Sequence, residues 1–186
     1  PNTSLRKSGS TFSVMSYNVR LFNKYRWIDK PNVSIEIERL ITEENPDIVC
    51  FQEYSILNAP KLKNYKFKYI YPNPSNGGKS TVAIFSKLKI KSKGFIDFNN
   101  SSNCGVYVDI SFRKQNFRVY NLHLESFKLD KVDKITDSNF SKNFKLKFDE
   151  VSRRQIEQID FFKNIDKFND SPSIIAVDLN NTQFSE

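Results

Sequence analysis

Five polar residues stand where apolar runs end: Asn18 after "VMSY", Glu53 after "DIVCFQ", His123 within "VYNLHL", and Asp178 with Asn180 in "IIAVDLN". Taken singly, an Asn or Asp after a strand is an ordinary turn former. The set offers more. Glu53 follows a run too apolar for a solvated strand, so its carboxylate needs a partner or a metal. Its hard oxygens suit Mg2+, which takes one or two protein carboxylates and keeps waters for a substrate phosphate. Asp178 and Asn180 are two apart and share one side if their strand continues. One would then orient a water while the other donates an N–H to a phosphate oxygen. His123 is the only histidine in the chain.

Strands and helices must bring these residues together. "TFSVMSYNV" (11–19) is rich in β-branched and aromatic residues and reads as a strand. Val33, Ile37, Leu40 and Ile41 share one face of a helix over 33–44, which "NP" at 45–46 stops. "DIVCFQE" (47–53) follows as a buried strand. This β-α-β order points to an α/β sheet. "YKFKYIY" (65–71) alternates aromatic and lysine, as a strand with one wet face does, and "NPSNGG" (73–78) is a loop. "STVAIFS", "VYVDISF" and "FRVYNLHL" are three more strands with no helix between them, so the sheet is expected to be mixed. Residues 125–149 lack clear periodicity and read as a long connection. A helix is predicted over 150–168, with Ile156, Ile159 and Phe162 inward and Arg153, Arg154, Glu157 and Asp160 outward. "SPSIIAVDLN" closes as a strand.

The bulk numbers describe one domain. The chain has 186 residues, of which 38% are hydrophobic and 27% charged, ordinary for a globular protein. No window approaches the roughly eighteen apolar residues of a membrane span. The two cysteines have neither the number nor the spacing of a disulfide framework or zinc site. Cys50, inside "DIVCF", reads as a small core residue. The net charge of +8 is localised, because nine lysines and no acid lie between Tyr54 and Ile96. Such a region fits a polyanion or an anionic lipid surface. It equally fits a solvated lysine face that protects sheet edges.

The ordered stretches "MSYNVRLFN", "PDIVCFQE", "GGKSTVAIFSK", "VYNLHLES" and "IIAVDLNNTQFS" resemble the endonuclease/exonuclease/phosphatase superfamily over nearly the whole chain. The resemblance implies a DNase I-like, four-layered α/β sandwich with mixed sheets and metal-dependent cleavage of a phosphoester bond. It implies Mg2+, with Mn2+ as a substitute, held by Glu53 as principal ligand with Asn18 beside the metal. His123 would contact the scissile phosphate, Asp178 would orient or deprotonate the attacking water, and Asn180 would hold the phosphate. His123, Asp178 and Asn180 are thus the expected catalytic residues, and His123 and Asn180 the substrate-binding ones. The expected partner is a phosphoester: nucleic acid, an anionic phospholipid headgroup or an inositol phosphate. No obligate protein partner is implied, and a monomer is expected.

Two departures from the family pattern stand out. Val177 occupies the position of a usual glycine, which would tighten the backbone beside the site. The Ser-Asp-His motif that supplies the family's acid/base histidine is missing, and "AVDLNN" normally opens the second half of the sandwich. Residues 1–186 are therefore expected to be a single domain that is incomplete at its C-terminus, with a partly uncovered sheet. Pro1 in place of Met predicts an upstream segment as well. The missing motif also supports a second reading, in which the protein has lost catalysis and serves as a binding or scaffold module. The compartment stays open between a domain of a membrane-anchored or secreted bacterial protein and a cytoplasmic one.

Overall fold

A computed structural model describes residues 11–71, 81–99, 101–126 and 140–180, with side chains in the last segment from 145 onward. Two four-stranded mixed sheets stack face to face, with one helix on each outer side. Strand β1 (Val14–Asn18) runs parallel to β2 (Ile48–Gln52), and α1 (Val33–Glu44) connects them. β4 (Val82–Ser86) pairs antiparallel with β2 and with β3 (Phe67–Tyr71), giving the order β1-β2-β4-β3. The second sheet has the order β5-β6-β7-β8, from Ile90–Asp97, Cys104–Phe112, Gln115–His123 and Ser173–Asp178. Its first three strands are antiparallel, whereas β8 runs parallel to β7. Helix α2 (Phe140–Asp166) leads into β8.

Three apolar clusters glue the four layers. Val49, Phe51, Ala83 and Phe85 project from the first sheet onto Ile37 and Ile41 of α1. Ile48, Cys50, Val82 and Ile84 project the other way and meet Val106, Val108, Val119 and Ala176 of the second sheet. Tyr120 and Leu122 then face Phe162 of α2. β2 and β4 are covered on both faces and buried at every position, which is why "DIVCF" reads as a continuous apolar run. Asn45 ends α1 in the left-handed conformation, φ 48°, its N–H bonded to the Ile41 carbonyl. Pro46 then bars any continuation.

The structure corrects several details. Helix α2 begins at Phe140, so part of the expected long connection is helical; its Lys, Asn and Ser residues blur the apolar periodicity. Ile156, expected to face inward, is 60% exposed, while Phe162 is buried and Ile159 packs beside it. Strand β5 was not anticipated, because "IKSKGFID" reads as a lysine run. It lies at the outer edge of its sheet, next to β3 at the edge of the other. Lysines on both edges deter pairing with further strands, so edge protection explains part of the lysine-rich segment. Val177 packs on the α2 side of β8, away from the site face. "NPSNGG" lies outside the described residues.

Both cysteines are fully buried, and burial pushes the Cys50 thiol up to about 12. Neither is expected to react with a thiol reagent at pH 8 in the native protein, because the thiolate is the nucleophile. Two thiols should titrate after denaturation. A native thiol that reacts rapidly would show that this part of the core is open.

Candidate functional site

The site lies where the C-terminal ends of β1, β2, β7 and β8 meet. Period-2 alternation puts Ser16 and Asn18 of β1 on one face, Cys50 and Gln52 of β2 on the same side, and Val119, Asn121 and His123 of β7 opposite them. The parallel register sets Asn18 beside Gln52 and His123 beside Asp178. Each inward row is apolar deep in the sandwich and polar at its end.

Asn18 is the hub. Its Nδ2 donates to Glu53 Oε1 at 3.0 Å and to Asp178 Oδ2 at 2.6 Å. His123 Nε2 lies 4.0 Å from Glu53 Oε1 and 3.8 Å from Asp178 Oδ2. One ligand atom each from Glu53, His123 and Asp178 falls within 4.8 Å of the others. Two carboxylates and an imidazole nitrogen thus share one small volume. A neutral amide supplies hydrogen bonds to both carboxylates but no balancing charge. Such a volume favours a cation. The Oδ1 of Asn18 accepts the Arg20 N–H at 2.9 Å, which fixes the amide's orientation, since turning it over would set donor against donor.

The backbone around Glu53 is unusual. Glu53 has φ 49°, and Arg20, Leu21, Phe22 and Asn23 form a run of left-handed residues with φ from 42° to 59°. Such conformations cost roughly 1–2 kcal/mol per residue outside glycine. Tertiary contacts hold them: the Leu21 N–H donates to the Glu53 carbonyl at 2.8 Å, and the Val19 N–H to the Gln52 carbonyl at 3.1 Å. Phe22 is buried against Phe51 and Tyr54. Burial pushes the Tyr54 phenol up to about 12, so the residue after Glu53 adds no charge.

The structure brings Asn18, Glu53, His123 and Asp178 together and treats Asn180 differently. β8 ends at Asp178, and Asn180 turns left-handed with φ 52°. Its N–H donates to Asp178 Oδ1 at 2.9 Å, and its side-chain Nδ2 to the Leu124 carbonyl at 2.7 Å. The shared side expected for Asp178 and Asn180 required a continuing strand, and the turn replaces it. Asn180 is therefore linked to the cluster through Asp178, with its amide N–H group held on β7's exit.

Two buried amides beside the site were not singled out from the sequence. Gln52 and Asn121 are fully buried between the sheets. Gln52 Nε2 donates to Asn121 Oδ1 at 2.6 Å and to Ser16 Oγ at 3.1 Å. Asn121 Nδ2 donates to the carbonyls of Phe51 and Ala83 at 2.8 and 3.0 Å. This network locks β2 to β7 one step below Glu53 and His123. The available signal was a polar residue on the inward phase of an otherwise apolar strand.

Known proteins share this architecture. The profile of the Endonuclease/Exonuclease/phosphatase family matches residues 15–186. No curated protein matches the sequence. Among solved structures, D. rerio TDP2 complexed with a single strand DNA product is similar with a TM-score of 0.61 at 17% identity, covering 93% of this chain and 62% of that one. The human nocturnin catalytic domain with bound sulfate anion gives a TM-score of 0.62 at 16% identity, covering 92% and 64%. Beta toxin from Staphylococcus aureus gives 0.61 at 20% identity, covering 94% and 68%. The chain spans less than two thirds of the TDP2 and nocturnin chains it matches. At these identities the likeness is one of fold.

Proposed function

The chain belongs to the endonuclease/exonuclease/phosphatase family, and we propose that it is a divalent-metal-dependent phosphoester hydrolase acting through Asn18, Glu53, His123 and Asp178. The observation that carries this reading is the convergence of ligand atoms from Glu53, His123 and Asp178 within 4.8 Å at the joined strand ends. The two carboxylates of this set fit Mg2+, whose preferred ligands are carboxylate oxygens supplemented by water, and leave the His123 imidazole for the substrate. Mn2+ accepts the same oxygens. When bound, the ion would act as a Lewis acid and offset charge that builds on the phosphate and leaving oxygen.

The chain's own residues supply the rest. Glu53 would hold the ion, its carboxylate steadied by Asn18. That amide presents its nitrogen to the carboxylates and its oxygen to Arg20, which favours a positioning role for Asn18 over the direct ligation the resemblance suggests. Asp178 Oδ2 would accept a hydrogen bond from the attacking water and keep it in line. His123 Nε2, near both carboxylates, is placed to donate an N–H to a phosphate oxygen. Asn180 would hold the loop beyond Asp178 and shape the phosphate's approach.

A single strand DNA product in one relative of this fold and a sulfate anion in another support a phosphoester as substrate. Nucleic acid, an anionic phospholipid headgroup and an inositol phosphate are the classes to compare. The full-length protein is expected to hydrolyse one of three substrates with Mg2+: an oligonucleotide, a sphingomyelin analogue or a phosphorylated inositol. EDTA should stop the reaction and added Mg2+ restore it. Hydrolysis indifferent to EDTA, or none with Mg2+ or Mn2+ on any substrate, would refute the proposal.

A further inference from the structure

The segment from Arg20 to Asn32 leaves the site directly after Asn18 and wraps against the Glu53 backbone. It then presents large side chains to solvent that no packing requirement explains. Tyr25, Trp27 and Ile28 are exposed, Trp27 at 43%. The first turn of α1 adds Ile35, and the turn after Glu53 adds Ile56 and Leu57, the latter 86% exposed. The segments that carry them adjoin one another. Ser34 Oγ donates to the Asn58 carbonyl at 2.8 Å, and a shallow groove of about 380 Å³ runs between Phe22, Lys24, Lys30, Ser34 and Asn58. Isolated exposed apolar residues are normal, but a clustered set with a polar rim marks an interaction surface.

Charge identifies the partner. Arg20, Lys24, Arg26 and Lys30 are interspersed with Tyr25, Trp27 and Ile28 along this segment and are all exposed, against the single acid Asp29 within it; Glu36 follows Ile35 on the helix. Arg20 lies over the Trp27 ring at 4.7 Å, Lys24 over Tyr25 at 5.3 Å, and the two rings pack edge to face at 5.1 Å. We propose that this face docks the protein on an anionic lipid bilayer. Trp and Tyr, apolar in body and polar at the tip, settle at the headgroup level. Ile28, Ile35, Ile56 and Leu57 enter the acyl boundary while the cations meet lipid phosphates. A single-stranded nucleic acid is the weaker match. It would use the rings and cations, but Arg20 already covers one face of Trp27, and four exposed aliphatic side chains have no counterpart on a phosphodiester chain. Docking does not depend on catalysis, yet it would hold the strand-end site beside headgroup phosphates.

Trp27 is the only tryptophan in the chain, so its fluorescence reports on this face alone. Vesicles of phosphatidylcholine with phosphatidylglycerol are expected to shift its emission to the blue and to co-sediment with the full-length protein. Phosphatidylcholine alone should bind far less, and salt should weaken the anionic case. Arg26→Ser with Lys30→Ser should lower partitioning about 25-fold, near fivefold for each basic residue lost. Leu57→Ser, at a position too exposed to affect folding, should lower it about tenfold. Glu53→Gln should bind as the parent does, so a failure of the hydrolase reading leaves this result interpretable. The proposal is overturned if anionic vesicles leave Trp27 unchanged, if the variants partition as well as the parent, or if a single-stranded oligonucleotide perturbs Trp27 while vesicles do not.

Discussion

Replacing Glu53 by Gln is expected to lower metal-dependent phosphoester hydrolysis by about a hundred- to a thousandfold, the scale seen when one preorganised electrostatic group is removed, while the fold persists. Gln keeps the shape and can still accept the Asn18 N–H at Oε1. What disappears is one negative charge of the pair that Asn18 bridges. Two like charges near one amide repel when no cation lies between them, so the metal-free variant should melt no lower than the parent. The parent should gain stability with Mg2+, about 2.7 kcal/mol when the ion is at a hundred times its dissociation constant. The variant should lose most of that gain. Melting curves with and without Mg2+ therefore separate a metal ligand from a structural carboxylate: a variant that unfolds in EDTA while its parent does not would assign Glu53 to the fold. Equal Mg2+ stabilisation in both proteins would remove it from the metal site.

Asn121→Leu is expected to be the most destabilising single change beside the site, at about 3 kcal/mol. Leu keeps the branched outline of Asn but is bulkier, so no cavity opens and crowding at this buried position adds to the loss. The substitution strips the Phe51 and Ala83 carbonyls of a donor and leaves Gln52 with Ser16 as its remaining partner. For a chain of this size the melting temperature should fall by roughly 6–12 °C. Gln52→Leu added to Asn121→Leu should recover part of the loss, because two apolar partners meet where one stranded amide stood. Strictly additive losses would mean that the two amides do not couple. Activity should fall in the single variant as well, since Asn121 and His123 share a face of β7 and Gln52 directly precedes Glu53.

Much of the architecture was legible in local patterns. The four apolar positions of α1 and the Asn45-Pro46 stop mark that helix at its observed bounds. The central strands read correctly because burial on both faces leaves an uninterrupted apolar run. Reading failed where tertiary context overrode the pattern. β5 carries exposed lysines because it is an edge. Ile156 has the right chemistry for a core and the wrong phase on α2. The inward amides Gln52 and Asn121 look like interruptions until their partners across the sandwich are seen.

The types and order of the site residues are properties of the sequence. A strand's two-residue period and its apolar body determine that Asn18, Glu53, His123 and Asp178 stand at strand ends. Their convergence is not local. Asn18 meets Asp178 across 160 positions, and that contact requires the parallel β7–β8 register, the β1–β2 register and the stacking of one sheet on the other. The orientation of Asn18's amide, the tether of Asn180 to Leu124 and the exposed aromatic and cationic face after β1 likewise belong to tertiary structure. Each depends on which groups compete for the same donor, acceptor or patch of apolar surface, and those competitors are supplied by distant parts of the chain.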